Sequence, residues 1–251
     1  MEYQDKIEQI VSLIKESGRT LALTGAGVST ESGIPDYRSP GTGLWTKMNP
    51  TKVANVTALR RDPVDFYNSN LERWTMYSDS MPNEAHYSLA QLEEAKLLQG
   101  VITQNIDGLH VKAGSKTVYE VHGHLRSCRC FDCEKKHPFT SLTEQYGKGI
   151  NPPRCEHCNG VLRPDIVLFE DSMGEDYFKA SKAILGCQLL IVAGSSLQVY
   201  PVASLPDYAR RMVIINIQDT PYDDRADVVL HEKCGQVFTD IMAALKAKGM
   251  V

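Results

Sequence analysis

Four cysteines in two C-x-x-C pairs have the residue type and the spacing of metal ligands. Cys130 and Cys133 form the first pair, Cys155 and Cys158 form the second, and 21 residues lie between the pairs. Four thiolates on two tight turns close a tetrahedral zinc site, and a closed site stabilises structure instead of activating water. We therefore predict one structural Zn²⁺ per chain. Cys128 is a competing ligand, but the C-x-x-C spacing favours Cys130.

Two alternative interpretations of these cysteines stay open. The pairs could be unrelated surface thiols, or the segment could be a zinc ribbon that binds nucleic acid or another protein. The chain has 27 Lys and Arg against 31 Asp and Glu, a formal net charge of −4, so no basic field exists to gather nucleic acid or an anionic membrane. We therefore expect neither nucleic acid nor membrane as a partner.

A glycine-rich turn, Gly25-Ala26-Gly27, follows the apolar run at 20–24. Glycines let the backbone approach a ligand closely, and the residues that follow can open a helix whose free N–H groups face phosphate. The third position of the usual dinucleotide fingerprint is Thr30, and no second strand ends in an acidic residue about 20 residues on, so an ordinary dehydrogenase unit is not expected. The alternative is a tight strand-to-helix turn without a ligand.

Polar side chains follow three further apolar runs. They are Gln104, Asn105 and Asp107 after the first, Gly194, Ser195 and Ser196 after the second, and Asn216 after the third. Open α/β sheets bind ligands outside the carboxyl ends of their strands, so we expect these groups to converge on one polar ligand. Asn105 and Asp107 could instead cap the helix that follows them.

A histidine, His122, comes directly after another apolar run. A lone histidine is more often a structural residue, but an imidazole beside a ligand at a strand end can act as a general base near neutral pH. His124 is the competing candidate, and position alone does not choose between the two.

Apolar runs and helix-length segments alternate over most of the chain, which predicts a doubly wound parallel α/β sheet. The predicted strands lie within 20–25, 100–105, 117–123, 188–194, 212–217 and 226–231, and the predicted helices lie within 1–17, 82–100, 174–186, 200–211 and 235–249. The first helix has Ile7, Ile10, Val11 and Ile14 at helical spacing and stops at Gly18.

Two regions interrupt this alternation. Residues 39–80 are mixed and predict a loop with short helices. Residues 124–162 hold five of the seven cysteines and almost no apolar periodicity, so they need a metal to fold. We predict a Rossmann-like domain made of 1–38, 81–123 and 163–251, an insert at 39–80 and a zinc-binding module at 124–162.

Cysteine usage also bears on location. Two C-x-x-C pairs in a chain of this length suggest metal in a reducing compartment, the first residues are acidic and amphipathic, and no run approaches about 18 apolar residues. We therefore expect a cytoplasmic protein.

The sequence resembles the sirtuins of bacterial type, NAD-dependent protein-lysine deacylases, from about residue 10 to residue 250. The motifs that carry the resemblance, in order, are GAGVSTESGIPDYR, TQNIDGLH, HG, the two C-x-x-C pairs, RPDIVLFE, GSSLQVYP and IINIQDTPYD. It implies a variant Rossmann domain, with NAD pyrophosphate at the glycine turn and a flexible cofactor-binding loop within the insert.

The resemblance implies a role for each matching residue. Contacts with the phosphate and ribose part of NAD are implied for Gly25, Ala26, Gly27, Thr30 and Arg38. A position near the nicotinamide is implied for Asp36 and Tyr37, and sirtuins usually have Phe in place of Tyr37. The nicotinamide-ribose pocket is implied for Gln104, Ile106 and Asp107, and Asp107 is expected to hold the carboxamide. The adenosine side is implied for Gly194, Ser195, Ser196, Asn216 and Cys234.

The resemblance also implies a mechanism. It selects His122 over His124 as the residue that accepts a proton from the ribose hydroxyls, with Asn105 positioning ribose or water. The expected reaction removes acetyl or longer neutral acyl groups from protein lysines and gives nicotinamide and O-acyl-ADP-ribose. The alternatives are mono-ADP-ribosylation of protein and a non-catalytic NAD-binding recruitment module. Intact Asn105, Asp107 and His122 favour the deacylase.

The substrate segment departs from the sirtuin pattern. Val167 is expected near the acyl-lysine, with the extended backbone around Phe169 pairing with the target peptide as an added strand. Sirtuins have Phe-Gly-Glu where this chain has Phe169-Glu170-Asp171. We therefore expect a more acidic rim that favours basic peptides.

Acyl specificity can be predicted from the insert. Sirtuins that remove succinyl groups carry a Tyr-x-x-Arg pair, and its guanidinium binds the acyl carboxylate. At the equivalent positions this chain has Tyr67 and Asn70, so the arginine is replaced by asparagine. We therefore expect acetyl or longer neutral acyl groups, although Arg73 one helical turn further could act in a shifted register.

Overall fold

The computed structural model describes residues 2–39, 41, 43–46, 49 and 53–251. The predicted cofactor loop, which begins at residue 39, lies partly outside these residues. No helix among the described residues is long and apolar enough to cross a bilayer.

A six-stranded parallel sheet forms the larger part of the molecule. Its strands are β1 Thr20–Thr24, β2 Val101–Thr103, β3 Val118–Glu120, β7 Leu189–Ala193, β8 Arg211–Ile215 and β9 Val228–Leu230. Their order in the sheet is β3-β2-β1-β7-β8-β9. Five of the strands lie within a predicted apolar run, and β8 begins one residue before its run, so the doubly wound α/β prediction is confirmed. The order reverses at β1, and the crevice between the carboxyl ends of β1 and β7 is where such sheets bind ligands.

Eight α-helices are described. They are α1 Tyr3–Glu16, α2 Val56–Arg61, α3 Pro63–Asp79, α4 Glu84–Glu94, α5 Leu109–Lys112, α6 Thr140–Gly147, α7 Glu175–Ala183 and α8 Cys234–Ala247. Helices α1, α4 and α8 cover one face of the sheet and α7 covers the other. Strand β1 serves both faces, since Ala22 packs towards the first and Leu21 and Leu23 towards the second.

The predicted helix within 200–211 forms instead the 3-10 helix Val202–Tyr208. Pro206 lies inside it and has no N–H for an α-helical bond, which accounts for the difference.

A smaller part of the molecule contains the antiparallel sheet β5-β4-β6, with strands β4 Gly123–Cys130, β5 Lys136–Pro138 and β6 Leu162–Ile166. Its core also contains α2, α3 and α6, because Phe66, Tyr67 and Trp74 pack in one cluster with Phe139 and Leu142. The insert is therefore not only loop and short helices: α3 has 17 residues. The two predicted modules, 39–80 and 124–162, share this core, while their exact boundaries stay a prediction.

Candidate functional site

A cavity of about 310 Å³ lies at the carboxyl ends of β1, β2, β7 and β8. It brings together nearly all residues predicted for the site: Gly25, Ala26, Gly27, Thr30, Asp36, Tyr37, Arg38, Gln104, Asn105, Ile106, His122, Val167, Phe169, Gly194, Ser195, Ser196, Asn216 and Cys234. The glycine turn, the histidine and the substrate segment thus face one connected space. Asp107 is the one predicted residue that is not among its described lining residues.

The glycines after β1 allow two strand-end turns to touch. The Gly27 N–H donates to the Gly194 oxygen at 2.8 Å, and a Cβ added at Gly27 would lie 2.7 Å from the Gly194 Cα. Gly194 has φ of 63°, and a Cβ there would lie 2.1 Å from the Val28 nitrogen. The glycines therefore serve the contact between the turns themselves. The helix expected after them is the 3-10 helix Ala26–Ser32.

Asn105 fixes the glycine turn from the side of β2. Its Nδ2 donates to the Gly25 oxygen at 3.1 Å and to Ser29 Oγ at 3.0 Å. Ser29 Oγ in turn donates to the Asp107 carboxylate at 2.8 Å, and the Leu109 N–H donates to the same carboxylate at 2.9 Å. Asp107 thus accepts the first N–H of α5, although Gly108 is the N-cap residue, and burial raises the pKa of the Asp107 carboxyl. Sequence reasoning missed Ser29, which is fully buried.

His122 is held by the main chain in one orientation. Its Nδ1 lies 3.0 Å from the Gln104 carbonyl oxygen. Burial lowers the pKa of this imidazole, against the opposing effect of that backbone bond, so the ring is neutral near pH 7. Gln104 is itself fixed, because its Nε2 donates to Ser195 Oγ at 2.8 Å. His124 is not among the described lining residues, and its Nδ1 accepts the Arg126 N–H at 3.4 Å.

The segment after the 3-10 helix forms one wall of the cavity. The Asp36 carboxylate accepts the Arg38 N–H at 3.0 Å and so turns the chain. The Arg38 guanidinium lies 4.2 Å from the ring centroid of Trp45, which also contacts Tyr37 at 5.3 Å and Phe169 at 6.4 Å. Burial raises the pKa of Tyr37, so its hydroxyl stays protonated. Sequence reasoning missed Trp45, whose ring connects residues 36–38 to the segment around Val167 and Phe169.

The substrate segment is already paired at Phe169. The Phe169 N–H donates to the Ala54 oxygen at 2.7 Å, and its carbonyl accepts the Val56 N–H at 3.1 Å. The Val167 N–H donates to the His122 oxygen at 2.8 Å. A target peptide that adds as a strand must therefore pair with other backbone groups than these.

The two acidic residues that follow Phe169, Glu170 and Asp171, have different hydrogen-bond partners. Glu170 has φ of 72°, a left-handed conformation that suits the glycine of the sirtuin pattern, and it accepts the Thr57 hydroxyl at 2.6 Å. Asp171 forms a two-bond ion pair with buried Arg163, at 2.6 and 3.1 Å. Glu170 is the acidic residue added relative to the sirtuin pattern, while the carboxylate of Asp171 is paired with Arg163, so the more acidic rim rests on Glu170.

The wall of the cavity that the sequence comparison assigned to the acyl group is lined from α3 by Asn70, Arg73 and Trp74. Asn70 Nδ2 donates to the Val53 oxygen at 2.9 Å, and its Oδ1 accepts from Arg73 Nη2 at 2.5 Å. Tyr67 points elsewhere, because its hydroxyl donates to the Leu162 oxygen. Asn70 therefore orients the guanidinium of Arg73 at this wall. Arg73 lies one helical turn beyond Asn70, the position that was compared with the arginine of the Tyr-x-x-Arg pair.

The four predicted zinc ligands converge in the smaller part of the molecule, with all four sulfurs within 4.8 Å of one another. The Cys130 and Cys158 sulfurs are 3.4 Å apart and those of Cys133 and Cys155 are 3.7 Å apart. Tetrahedral zinc–thiolate bonds of about 2.3 Å place sulfurs about 3.8 Å apart, so the group fits Zn²⁺.

The sulfur of Cys128 lies outside this group. It is 3.4 Å from the Pro138 oxygen, and burial raises the pKa of the thiol to about 12, so it stays protonated. His137, which sequence reasoning missed, has its Nε2 at 3.3 Å from the Cys155 sulfur and can support that ligand.

Fold and site together define a Rossmann-like α/β protein with a four-cysteine module and a cavity at the switch point of its sheet. The Sir2 family matches residues 25–201, and the chain belongs to this family. It is 47% identical to NAD-dependent protein deacetylase 2 of Caldanaerobacter subterraneus subsp. tengcongensis, over 98% of this chain and 99% of that one. It is 42% identical to NAD-dependent protein deacetylase of Caldivirga maquilingensis, over 93% and 91%.

Solved structures show the same fold. A complex described as Sir2-p53 peptide-NAD+ has a TM-score of 0.87 and 35% identity, covering 98% of this chain and 99% of that one. Sir2 bound to acetylated peptide has a TM-score of 0.85 and 34% identity, with the same coverage.

Proposed function

We propose that the protein is an NAD-dependent protein-lysine deacetylase that transfers acetyl groups from lysine side chains to ADP-ribose and releases nicotinamide. The observation that carries this function is the single cavity that joins the glycine turn after β1 to His122 and to the substrate segment at Val167 and Phe169. The relatives named as deacetylases and the neighbours solved with NAD⁺ and with acetylated peptide support it.

His122 acts as the general base. A carbonyl oxygen only accepts hydrogen bonds, so the contact with Gln104 keeps a proton on Nδ1 and leaves the Nε2 lone pair free to take another. NAD, when bound, supplies a nicotinamide that leaves and a ribose hydroxyl that receives the acyl group. Asn105 helps to position that ribose or a water molecule, and its bonds to Gly25 and Ser29 hold it in place.

The remaining lining residues bind NAD. The phosphate and ribose part is assigned to Gly25, Ala26, Gly27, Thr30 and Arg38. The nicotinamide side is assigned to Asp36, Tyr37, Gln104 and Ile106. The adenosine side is assigned to Gly194, Ser195, Ser196, Asn216 and Cys234. A contact of Asp107 with the carboxamide stays a prediction, since its carboxylate is bonded to Ser29 and the Leu109 N–H.

The four cysteines hold a structural Zn²⁺. All four positions of a tetrahedral site are filled by thiolates, so the metal has no open position for a substrate. Thiolate ligands of this kind persist in a reducing compartment, which supports a cytoplasmic location.

Acetyl-lysine is the proposed substrate, with longer neutral acyl groups as further candidates. Val167 and Phe169 border the acyl-lysine, and Val53 and Trp74 add apolar surface to the same cavity. Arg73 is the one described group on this wall that could pair with an acyl carboxylate. Relative rates on acetyl-, succinyl- and long-chain acyl-lysine peptides decide the matter, and fastest removal of succinyl would replace the neutral-acyl assignment.

The decisive experiment follows both products by mass spectrometry. Nicotinamide release from NAD should require an acetylated peptide, the peptide should lose its acetyl group, and O-acetyl-ADP-ribose should form. A peptide that gains an ADP-ribose unit would identify a transferase, and no change in either species would identify a binding module.

A further inference from the structure

One carboxylate joins the glycine-turn segment to the last helix. Glu31 belongs to the 3-10 helix Ala26–Ser32, and its Oε2 accepts the backbone N–H of Gly235 at 2.7 Å. Gly235 is in the first turn of α8, where N–H groups have no acceptor within the helix, and the N-cap residue Lys233 makes no side-chain bond to them. Glu31 therefore caps α8 from a distant part of the chain, where the helix dipole favours a negative charge.

The 3-10 helix is held on a second side by α4. Asn83, the N-cap of α4, donates from Nδ2 to the Val28 oxygen at 2.8 Å and to Ser32 Oγ at 3.0 Å. A Cβ added at Gly235 would lie 2.8 Å from the Glu31 Oε2, so glycine lets the carboxylate rest on the backbone of α8. Asn83 and Glu31 thus fix the segment against the first turns of two helices.

Both segments that Glu31 joins line the cavity. Ala26 and Thr30 contribute from the 3-10 helix, and Lys233 and Cys234 contribute from the start of α8. Glu31 itself is not among the described lining residues. Its effect on a ligand in the cavity must therefore pass through the two segments.

We propose that Glu31 is a positioning residue that holds the start of α8 against the glycine-turn segment and so sets the affinity of the cavity for the ADP-ribose part of NAD. The inference rests on the proposed function, because it needs this dinucleotide in the cavity. It adds to the proposed site a residue, Glu31, that contacts neither NAD nor the acetylated peptide.

Calorimetry with ADP-ribose and initial rates with NAD and an acetylated peptide test the proposal. Glu31→Ala should weaken ADP-ribose binding and raise the KM for NAD by about fivefold, a typical effect of losing one helix cap, with kcat changed less than about twofold. Glu31→Gln keeps an oxygen that can accept the Gly235 N–H, and it should recover most of the affinity. The KM for peptide should stay unchanged in both variants.

Glu8→Ala is the matched control, because it removes a carboxylate that pairs with Lys248 near the opposite end of α8, at 2.8 Å. It should leave ADP-ribose binding unchanged. Wild-type affinity in Glu31→Ala, or an equal loss in Glu8→Ala, would overturn the proposal. A wild-type protein that binds ADP-ribose without deacetylating peptide would overturn the proposed function alone, and one that fails to bind ADP-ribose would overturn both.

Discussion

The Nδ1 atom of His122 lies 3.0 Å from the carbonyl oxygen of Gln104, so a residue two positions beyond the end of β3 is oriented by the residue that follows β2. These strands are neighbours in the sheet, and the bond therefore transmits the rigidity of the sheet to the imidazole. In its proposed role as base, the imidazole needs no reorientation before it accepts a proton.

The acid side of the pH profile should follow the protonation of His122. The neutral ring is the active form, and burial lowers its pKa from the ordinary value of about 6.5, so activity should fall only as the pH drops below about 6.5. The measurement is kcat/KM for an acetylated peptide between pH 5 and pH 8. A half-maximum above pH 7 would contradict the assignment.

Removal of His122, the proposed base, should lower activity far more than removal of the neighbouring His124. His122→Ala should lower kcat by about 10²-fold or more, the usual contribution of a general base, while ADP-ribose still binds. His124→Ala is the control and should stay within about twofold of wild type, because this ring is not among the described lining residues. Comparable losses in both variants would remove the distinction between the two histidines.

Glycine at position 170 should stabilise the protein. Glu170 has φ of 72°, which is costly for a residue with a Cβ, and Glu170→Gly removes that cost, which exceeds the value of the exposed bond to Thr57 that is lost with the side chain. The midpoint of thermal unfolding should rise by about 2 °C. Glu170→Ala keeps the unfavourable conformation and loses the bond to Thr57, so its midpoint should fall. The prediction is wrong if the alanine variant melts above the glycine variant.

Loss of the metal should impair catalysis through packing. Cys155→Ala should abolish zinc binding and lower deacetylation strongly, because the cysteine module shares its core with α3, which lines the cavity. Metal analysis should give one zinc per chain in the wild type. Cys128→Ala should keep its zinc. Full activity in a metal-free preparation would refute the structural role.

Two buried histidines should make stability depend on pH. The rings of His86 and His110 are 4.7 Å apart, and burial lowers the pKa of His86 to about 4 and that of His110 well below its ordinary value. The unfolded chain then binds protons that the folded chain excludes. Their stabilising effect is complete above about pH 6.5 and is lost as the pH falls towards about 4, by up to about 1.4 kcal/mol per pH unit for each ring.

Urea unfolding between pH 4 and pH 7 measures this dependence. His86→Gln should flatten the curve, since an amide does not titrate in this range. An unchanged slope in that variant would assign the dependence to other groups.

Much of the architecture could be predicted because it is encoded locally. The apolar runs predicted all six strands of the parallel sheet, and the C-x-x-C spacing predicted which four thiols converge. The carboxyl-end rule then placed the polar residues around one cavity. Each inference used residues near one another in the chain or a general rule of sheet topology.

Contacts between distant segments could not be predicted in this way. The Tyr67 hydroxyl donates to the carbonyl oxygen of Leu162, which is 95 residues away in the sequence. No hydrophobic periodicity in the sequence indicates that the insert and the cysteine module share a core. Trp45 gave no signal because its role arises only from its contacts with Arg38 and Phe169. The sequence showed only that Glu170 replaces a glycine of the sirtuin pattern, and it did not show that Glu170 adopts a left-handed conformation.

The contact between Gly27 and Gly194 has a consequence for ligand affinity. Main-chain atoms of two turns meet directly there, so the floor beneath a dinucleotide is complete before any ligand arrives. Ligand binding therefore costs little conformational entropy at the contact between these two turns. The entropic cost of ordering falls instead on the parts of the cavity that are held by side-chain contacts. A methyl group at either glycine would separate the turns and convert a preorganised surface into one that each ligand must assemble.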